Sequence, residues 1–165
     1  MQKYELGNKS EAIVLSAYLA AGFTVSIPFG TGASYDLVVD SGNHLYKVQV
    51  KTAWISKGIV KYKCLRRQPG KTTHRTYEKG EVDYFAVHCP SNDTLFGIPA
   101  ANHLGLGWLR LEPTQNGQSK FVKWASAYTW ENHIEKLKCE CARQELNLRL
   151  PASEAGTLSA ELRAR

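Results

Sequence analysis

Two runs of strand-forming residues, 35–40 (YDLVVD) and 45–52 (LYKVQVKT), carry polar groups at positions where apolar residues would pack better. Asp36 lies in the first run, and Gln49 and Lys51 lie two residues apart in the second. A carboxylate, an amide and an ammonium are groups that bind divalent cations and phosphates in proteins. If the two runs bring these groups together, the chain has a site for phosphate chemistry.

The turn between the two runs predicts that these side chains meet. Gly42-Asn43 is typical of a two-residue hairpin turn, which would place Asp36 opposite Gln49 with their Cβ atoms about 5 Å apart. Because side chains alternate along a strand, Lys51 would share that face. The residues expected on the opposite face are Tyr35, Leu37, Val39, Tyr46, Val48 and Val50. The pattern therefore predicts a polar site on one face of a hairpin.

This set of groups suits metal-assisted hydrolysis of a phosphodiester bond. Mg²⁺, with Mn²⁺ as its substitute, takes oxygen ligands and lowers the pKa of a bound water. Asp36 is the expected anchor for the ion, and the backbone carbonyl of Val50 would complete the shell. Lys51 would hold the attacking water or stabilise the pentavalent phosphorus. Glu11, near the start of an apolar helical segment, would supply a second carboxylate if that helix lies across the same face.

Each of these residues also has a purely structural interpretation. Asp36 could be an edge-strand charge that discourages aggregation, and Glu11 a favourable charge in the first turns of a helix. Gln49 and Lys51 could be ordinary strand residues that face solvent. The functional interpretation depends on the spacing of the residues and not on any one of them.

Residues 57–79 form a second candidate feature, with eight basic residues and one acid, Glu78, in a chain of net charge +6. Such a segment is typical of a surface that binds a polyanion such as double-stranded DNA, because neutralised phosphates release counterions. The residues predicted to bind DNA are Lys57, Lys61, Lys63, Arg66, Arg67, Lys71 and Arg75. Tyr62, His74 and Tyr77 lie among them and could stack on a nucleic acid. The alternative is a solvated, lysine-rich hairpin that maintains solubility.

Composition predicts a single globular domain, since 43% of the 165 residues are hydrophobic and 22% are charged. Helical patterns at 5–21 and 127–146 flank a series of strand patterns, of which KFVKWA at 120–125 is the last. The domain is expected to span residues 1–146, followed by a peripheral tail at 147–165 that is poor in bulky apolar residues.

No segment resembles a transmembrane helix, and the N-terminus lacks the apolar region of a secretory signal, so a cytoplasmic location is expected. The four cysteines have no zinc-binding spacing. They are therefore expected to be free, reduced thiols.

At its polar positions the chain resembles the PD-(D/E)xK nuclease superfamily, and within it the group I intron-encoded homing endonucleases. The resemblance covers about residues 5–130 and rests on the order of Glu11, Asp36 and the Q-x-K motif at Gln49 and Lys51, with VQVKTA and EVDYFAVHCP. Gln49 stands where the superfamily usually has Asp or Glu, and the Pro that names the motif is replaced. The resemblance implies a restriction-endonuclease-like α/β fold, with a mixed β-sheet core flanked by helices. It also implies these four residues as the catalytic set, divalent-metal DNA cleavage, and assembly into homodimers or homotetramers.

The function expected from this resemblance is that of a Mg²⁺-dependent, site-specific DNA endonuclease of the homing type. Two alternatives remain open. One is a Holliday-junction resolvase, which usually has Glu where Gln49 lies. The other is a catalytically silent DNA-binding protein that has lost its metal site.

Overall fold

The computed structural model describes residues 3–30, 32–67, 72–102, 105–113 and 120–149, with the backbone alone for residues 3, 102 and 141–149. In chain order, these residues form α1 (Lys3–Ala20), β1 (Thr24–Ser26), β2 (Leu37–Asp40), β3 (Leu45–Thr52), β4 (Trp54–Ser56), β5 (Ile59–Arg67), β6 (His74–Thr76), β7 (Tyr84–Cys89), β8 (Thr94–Pro99), β9 (Gly105–Arg110) and α2 (Trp130–Arg149). Short 3₁₀ turns lie at Ala100–Asn102 and Ala125–Tyr128.

Two β-sheets form the centre of the fold. The first has the strand order β1-β2-β3-β7-β8, in which β3 and β7 run parallel and the other neighbours run antiparallel. In the second sheet, β5 pairs antiparallel with β4, β6 and β9. The mixed-sheet α/β architecture expected from the sequence is confirmed.

The first sheet lies between two hydrophobic cores. One core packs this sheet against α1 and α2 and includes Val14, Val48 and Leu137. The other packs it against the second sheet and includes Val60 and Leu109. All six residues of β7 are buried. Phe85, Val87 and Cys89 belong to the core between the sheets, and Tyr84 and Ala86 belong to the core with the helices, which explains the nearly continuous apolar sequence of this strand.

Both predicted helices are present. After α1 the chain passes through Gly22, whose φ of 91° is the left-handed conformation expected for a glycine that caps a helix. The second helix, α2, continues to Arg149, past the predicted start of the tail at residue 147. The remainder of that predicted tail, from residue 150, lies outside the described residues.

The predicted strand at residues 120–125 is wrong. In this segment, which the structure describes in full, Phe121 has a φ of 59° and an exposed side chain, and the β-bridge is a single one from Trp124 to Arg110. A positive φ interrupts the extended conformation that a strand requires. Local strand propensity was therefore overridden by a turn that leads into the second 3₁₀ segment.

Cys64, Cys89 and Cys139 are free thiols, as the sequence predicted, and the side chain of Cys141 is not among those described. Within the described residues, neither helix combines the length and the hydrophobicity needed to cross a membrane.

Candidate active site

The hairpin of β2 and β3 has the register that its turn predicts. Leu37 faces Val48 and Asp40 faces Leu45, which is the pairing set by a two-residue turn. The amide of Ser41 donates to the carbonyl of His44 at 3.0 Å and closes the loop. The residues of these two strands that lie in the core with α1 and α2 are Leu37, Val39, Tyr46, Val48 and Val50. The polar residues between them therefore face the second sheet.

Asp36, Gln49 and Val50 are joined directly by hydrogen bonds. The Asp36 amide donates to the Val48 carbonyl at 3.0 Å, which extends the strand pairing beyond β2. Asp36 Oδ2 accepts hydrogen bonds from the Val50 amide at 2.8 Å and from the side-chain amide of Gln49. Gln49 Nε2 also lies 3.3 Å from the Val50 carbonyl oxygen. The structure thus brings these three predicted site residues to one point.

The environment of Asp36 opposes its ionisation on balance. Burial raises the pKa of Asp36, and this effect exceeds the opposing effects of its hydrogen bonds and of the Lys51 charge. Because burial removes water from the Asp36 carboxylate, its ionised form is poorly solvated. A bound cation would stabilise that ionised form in place of the missing water. Both of these hydrogen bonds fall on Oδ2, so Oδ1 is the oxygen best placed to bind an ion.

Lys51 lies beside this group, on the same face of β3. Its Nζ atom donates a hydrogen bond of 3.0 Å to the Tyr77 hydroxyl and lies 5.3 Å from the centre of that ring. Burial lowers the pKa of Lys51, and the negative charges of Asp36 and Glu11 oppose this shift. The ammonium therefore lies within the electrostatic reach of both acidic candidates.

Glu11 approaches the site from α1, as the sequence predicted. Partial burial raises the pKa of Glu11, the Asp36 charge raises it further, and Lys51 lowers it. α1 packs on β3, and Glu11 lies within the electrostatic reach of both Asp36 and Lys51. A shared divalent cation would relieve the repulsion between the two acids.

A polar network centred on two buried side chains, Ser10 and His88, fixes the beginning of α1 against the first sheet. Ser10 Oγ lies 2.8 Å from Thr52 Oγ1 and 3.0 Å from His88 Nδ1, and His88 Nε2 lies 3.0 Å from Asp93 Oδ1. Because Ser10 precedes Glu11, these contacts orient the turn of α1 that carries the acid. The members of this network come from α1, β3, β7 and the turn after β7, so no spacing pattern along the sequence predicts it.

These groups fit a hard divalent cation. The oxygen donors are the carboxylates of Asp36 and Glu11 and the carbonyl of Val50, which are the ligand types that Mg²⁺ prefers. In the part of the chain that the structure describes, no three His, Cys, Asp or Glu side chains converge. A softer ion such as Zn²⁺, held by nitrogen and sulfur, does not match this donor set.

The basic segment divides into two groups. The side chains of Lys57, Lys63 and Arg67 are exposed. Lys61 shares the outer face of β5 with Lys63, since the residue between them is buried. Lys71, also predicted to bind DNA, lies outside the described residues.

Arg66 and Arg75 form internal ion pairs instead of pointing freely outward. Arg66 lies 2.9 Å and Arg75 2.6 Å from Glu81 Oε1. Arg66 also donates to Ser34 Oγ at 2.6 Å and to the Gly32 carbonyl at 2.8 Å. These contacts, which we call the Glu81 clamp, hold the loop that leads into the site. Sequence reasoning assigned both arginines to DNA and left Glu81 out.

The stacking role predicted for the two tyrosines of this segment is wrong. Tyr62 and Tyr77 are 1% and 3% exposed and belong to the core between the sheets. Tyr77 contributes to the site through its contact with Lys51. The alternation of β5 could have indicated the inward orientation of Tyr62, which lies between Lys61 and Lys63. Tyr77 follows the end of β6 and has no such signal.

The first sheet is mixed, its hairpin carries an aspartate and a lysine, and the first helix carries a glutamate. This combination of fold and site defines a nuclease of the restriction-endonuclease type. The chain belongs to the PD-(D/E)XK endonuclease family, whose model matches residues 1–131. Nucleases of this family typically use divalent metal ions, and the family implies DNA as the substrate.

A solved structure shows the same fold. It is described as a bacterial homing endonuclease, I-Ssp6803I, and it superposes with a TM-score of 0.68 over 87% of this chain and 99% of its own. The two sequences are 22% identical, so the likeness concerns the fold. Among curated proteins, none matches this chain.

Proposed function

We propose that this protein is a site-specific endonuclease of the homing type that hydrolyses double-stranded DNA with Mg²⁺. The observation that carries the proposal is the convergence of Asp36, Gln49, Val50 and Lys51 at one end of the hairpin, with Glu11 beside them. The homing assignment is supported by the Q-x-K motif and by the fold shared with a bacterial homing endonuclease.

Asp36 Oδ1, Glu11 and the Val50 carbonyl would hold the ion. A bound Mg²⁺, or Mn²⁺ in its place, polarises the phosphate and makes a water molecule more acidic. Asp36 is kept in orientation by the two N–H groups that donate to its other oxygen. Gln49 thus donates a hydrogen bond to Asp36, whereas Asp or Glu at this position would add a negative charge to the metal site.

Lys51 would stabilise negative charge on the phosphate. An ammonium has three N–H donors, and the Tyr77 hydroxyl accepts one of them. The other two donors can bind a phosphate oxygen and the attacking water. Lys51 could therefore perform both of its predicted roles, which are to hold the water and to stabilise the phosphorus. A fixed cation in a partly dehydrated site stabilises developing charge more strongly than one in water.

The exposed cations of the second sheet would bind the DNA backbone. Of the residues predicted to bind DNA, Lys57, Lys61, Lys63 and Arg67 are those whose side chains lie on the outer surface of the described chain. Arg66 and Arg75 would act mainly through the Glu81 clamp. One such site cuts one strand, so a double-strand break requires two chains, which supports a homodimer or a homotetramer.

The proposal is tested by replacing the anchor carboxylate. We expect Asp36→Asn to lower cleavage of a selected duplex target by about 100- to 1,000-fold, as when one group aimed at developing charge is lost. DNA affinity, measured in Ca²⁺ to prevent turnover, should change little. The matched control is Asp40→Asn on the same strand, where the amide oxygen can still accept the hydrogen bond from the Gly42 amide.

Wild-type cleavage rates in the Asp36→Asn variant would overturn the assignment of the site. The same assay should include a synthetic four-way junction of equal length. Preference for the junction over the duplex would indicate a resolvase. Binding without cleavage in any divalent metal would indicate a silent DNA-binding protein.

A further inference from the structure

Tyr77 provides the hydrogen-bond acceptor that the structure shows for the Lys51 ammonium. The phenol oxygen lies 3.0 Å from Nζ, and the centre of the ring lies 5.3 Å away. Within the described residues Lys51 forms no ion pair with a carboxylate, although Asp36 and Glu11 influence it electrostatically. The tyrosine is therefore the direct contact that fixes the end of the lysine side chain.

The tyrosine itself is held rigidly. It follows β6 and is almost fully buried in the core between the sheets. Its ring packs edge-on against Phe85 of β7, with ring centres 5.2 Å apart and planes at 73°. A rigid acceptor can restrict a side chain that otherwise has several rotatable bonds and a large rotamer entropy.

We propose that Tyr77 is a positioning residue of the active site, which holds the Lys51 ammonium in the orientation needed to contact the scissile phosphate. The proposal rests on the function proposed above. A phenol suits this role because it orients the ammonium without neutralising it. A carboxylate in the same place would cancel the positive charge that the phosphate requires.

The state of the phenol agrees with this role. Burial raises the pKa of Tyr77, and the Asp36 charge raises it further. The hydroxyl therefore stays protonated and neutral at physiological pH. It accepts from Lys51 through a lone pair and keeps its own proton as a donor.

The test is Tyr77→Phe, which removes one oxygen and keeps the ring. We expect the single-turnover cleavage rate to fall by about 10- to 100-fold, as expected when a hydrogen bond to a charged group is lost. The dissociation constant for duplex DNA in Ca²⁺ should stay within about twofold of the wild-type value. Tyr77→Gln, whose amide oxygen can also accept a hydrogen bond, should restore part of the rate.

Tyr18→Phe is the matched control. Tyr18 is also a buried tyrosine with a hydroxyl hydrogen bond, at 2.7 Å to His133 Nε2, but it lies in the core on the other side of the first sheet. This variant should lose stability and keep the cleavage rate of the folded protein. A rate loss equal to that of Tyr77→Phe would show a general effect of core polarity and overturn the proposal.

A double variant separates positioning of Lys51 from other effects. In a Lys51→Ala background, adding Tyr77→Phe should cause no further loss of rate, because its target is already absent. An additional loss of the full size would overturn the proposal. If wild-type protein cleaves DNA and Tyr77→Phe cleaves equally well, this inference fails alone. If wild-type protein cleaves no DNA in Mg²⁺ or Mn²⁺, the proposed function fails.

Discussion

The phenol oxygen of Tyr18 and the Nε2 atom of His133 lie 2.7 Å apart, in a buried hydrogen bond that joins α1 to α2. Among the described residues, the other ring nitrogen of His133 is buried without a hydrogen-bond partner. Burial, aided by the charge of Lys136, lowers the pKa of His133 to about 4. The two helices are therefore joined by a histidine that is neutral in the folded protein at neutral pH.

This histidine should make the protein less stable in mild acid. An unfolded chain protonates His133 near pH 6.5 and the folded chain near pH 4, so the free energy of unfolding should fall as the pH decreases between these values. This difference between the two pKa values corresponds to a loss of about 3 kcal/mol in the free energy of unfolding. Urea unfolding at a series of pH values measures this pH dependence of the free energy of unfolding. His133→Gln should reduce the dependence, and His74→Gln, at an exposed histidine, is the control. A His133 resonance that titrates near pH 6.5 would contradict the prediction.

Gly97 should tolerate no side chain. A Cβ atom at this position of β8 would overlap the ring of His133 on α2. We expect Gly97→Ala to lower the free energy of unfolding by about 1–3 kcal/mol, the usual cost of overpacking. Gly7→Ala is the control, since a Cβ atom there meets nothing within 4 Å, and it should stabilise the helix by about 0.5–1 kcal/mol. Equal melting temperatures for the two variants would show that α2 can move away from β8.

Gln49→Glu should strengthen metal binding. The variant replaces an amide that donates to Asp36 with a second carboxylate, so the metal-free site gains repulsion that a divalent ion relieves. Calorimetric titration with Mn²⁺ should show a lower dissociation constant, and the metal-free variant should melt at a lower temperature. Gln49→Met is the control for loss of the hydrogen bond alone. Weaker Mn²⁺ binding by Gln49→Glu would place residue 49 outside the ion's surroundings.

The two groups of basic residues should differ in their response to salt. Lys61→Gln and Lys63→Gln should each flatten the plot of log affinity against log salt by about 0.9, the value for one phosphate contact on B-DNA. Lys136→Gln on α2 is the charge-matched control and should leave the slope unchanged. Unchanged slopes in both strand variants would mean that the outer face of β5 does not bind DNA.

Arg66→Gln should instead lower cleavage with little change in that slope. Its guanidinium pairs with Glu81 and holds the loop that precedes Asp36, so its loss should disorder the approach to the site. Single-turnover rates and salt-dependent binding, measured on the same protein, distinguish the two effects. A slope change as large as that of Lys63→Gln would assign Arg66 to the phosphate backbone.

The hairpin could be predicted from the sequence because its determinants are local. Strand alternation and a Gly-Asn turn fix which residues face each other, and Asp36, Gln49 and Lys51 meet as a result. The same local reasoning failed at residues 120–125, where the positive φ of Phe121 interrupts a segment with good strand propensity.

The supporting contacts of the site could not be predicted, because they join distant parts of the chain. Tyr77 reaches Lys51 across 26 positions, and Ser10 reaches His88 across 78. Arg66 looked like a DNA-binding residue because charge alone does not reveal an internal partner such as Glu81. Tertiary packing decides whether a polar side chain faces the site, the core or the solvent.

The two-residue turn at Gly42-Asn43 controls the geometry of a site that it does not adjoin. It lies at the opposite end of the hairpin from Gln49 and Lys51, yet it sets the pairing of β2 with β3. An in-frame insertion of one codon would shift the register and exchange the faces of one strand, which would remove Asp36 from its partners. The number of residues in this surface turn is therefore as important for the geometry of the site as the acid itself, because a change in loop length would separate Asp36 from Gln49 and Val50.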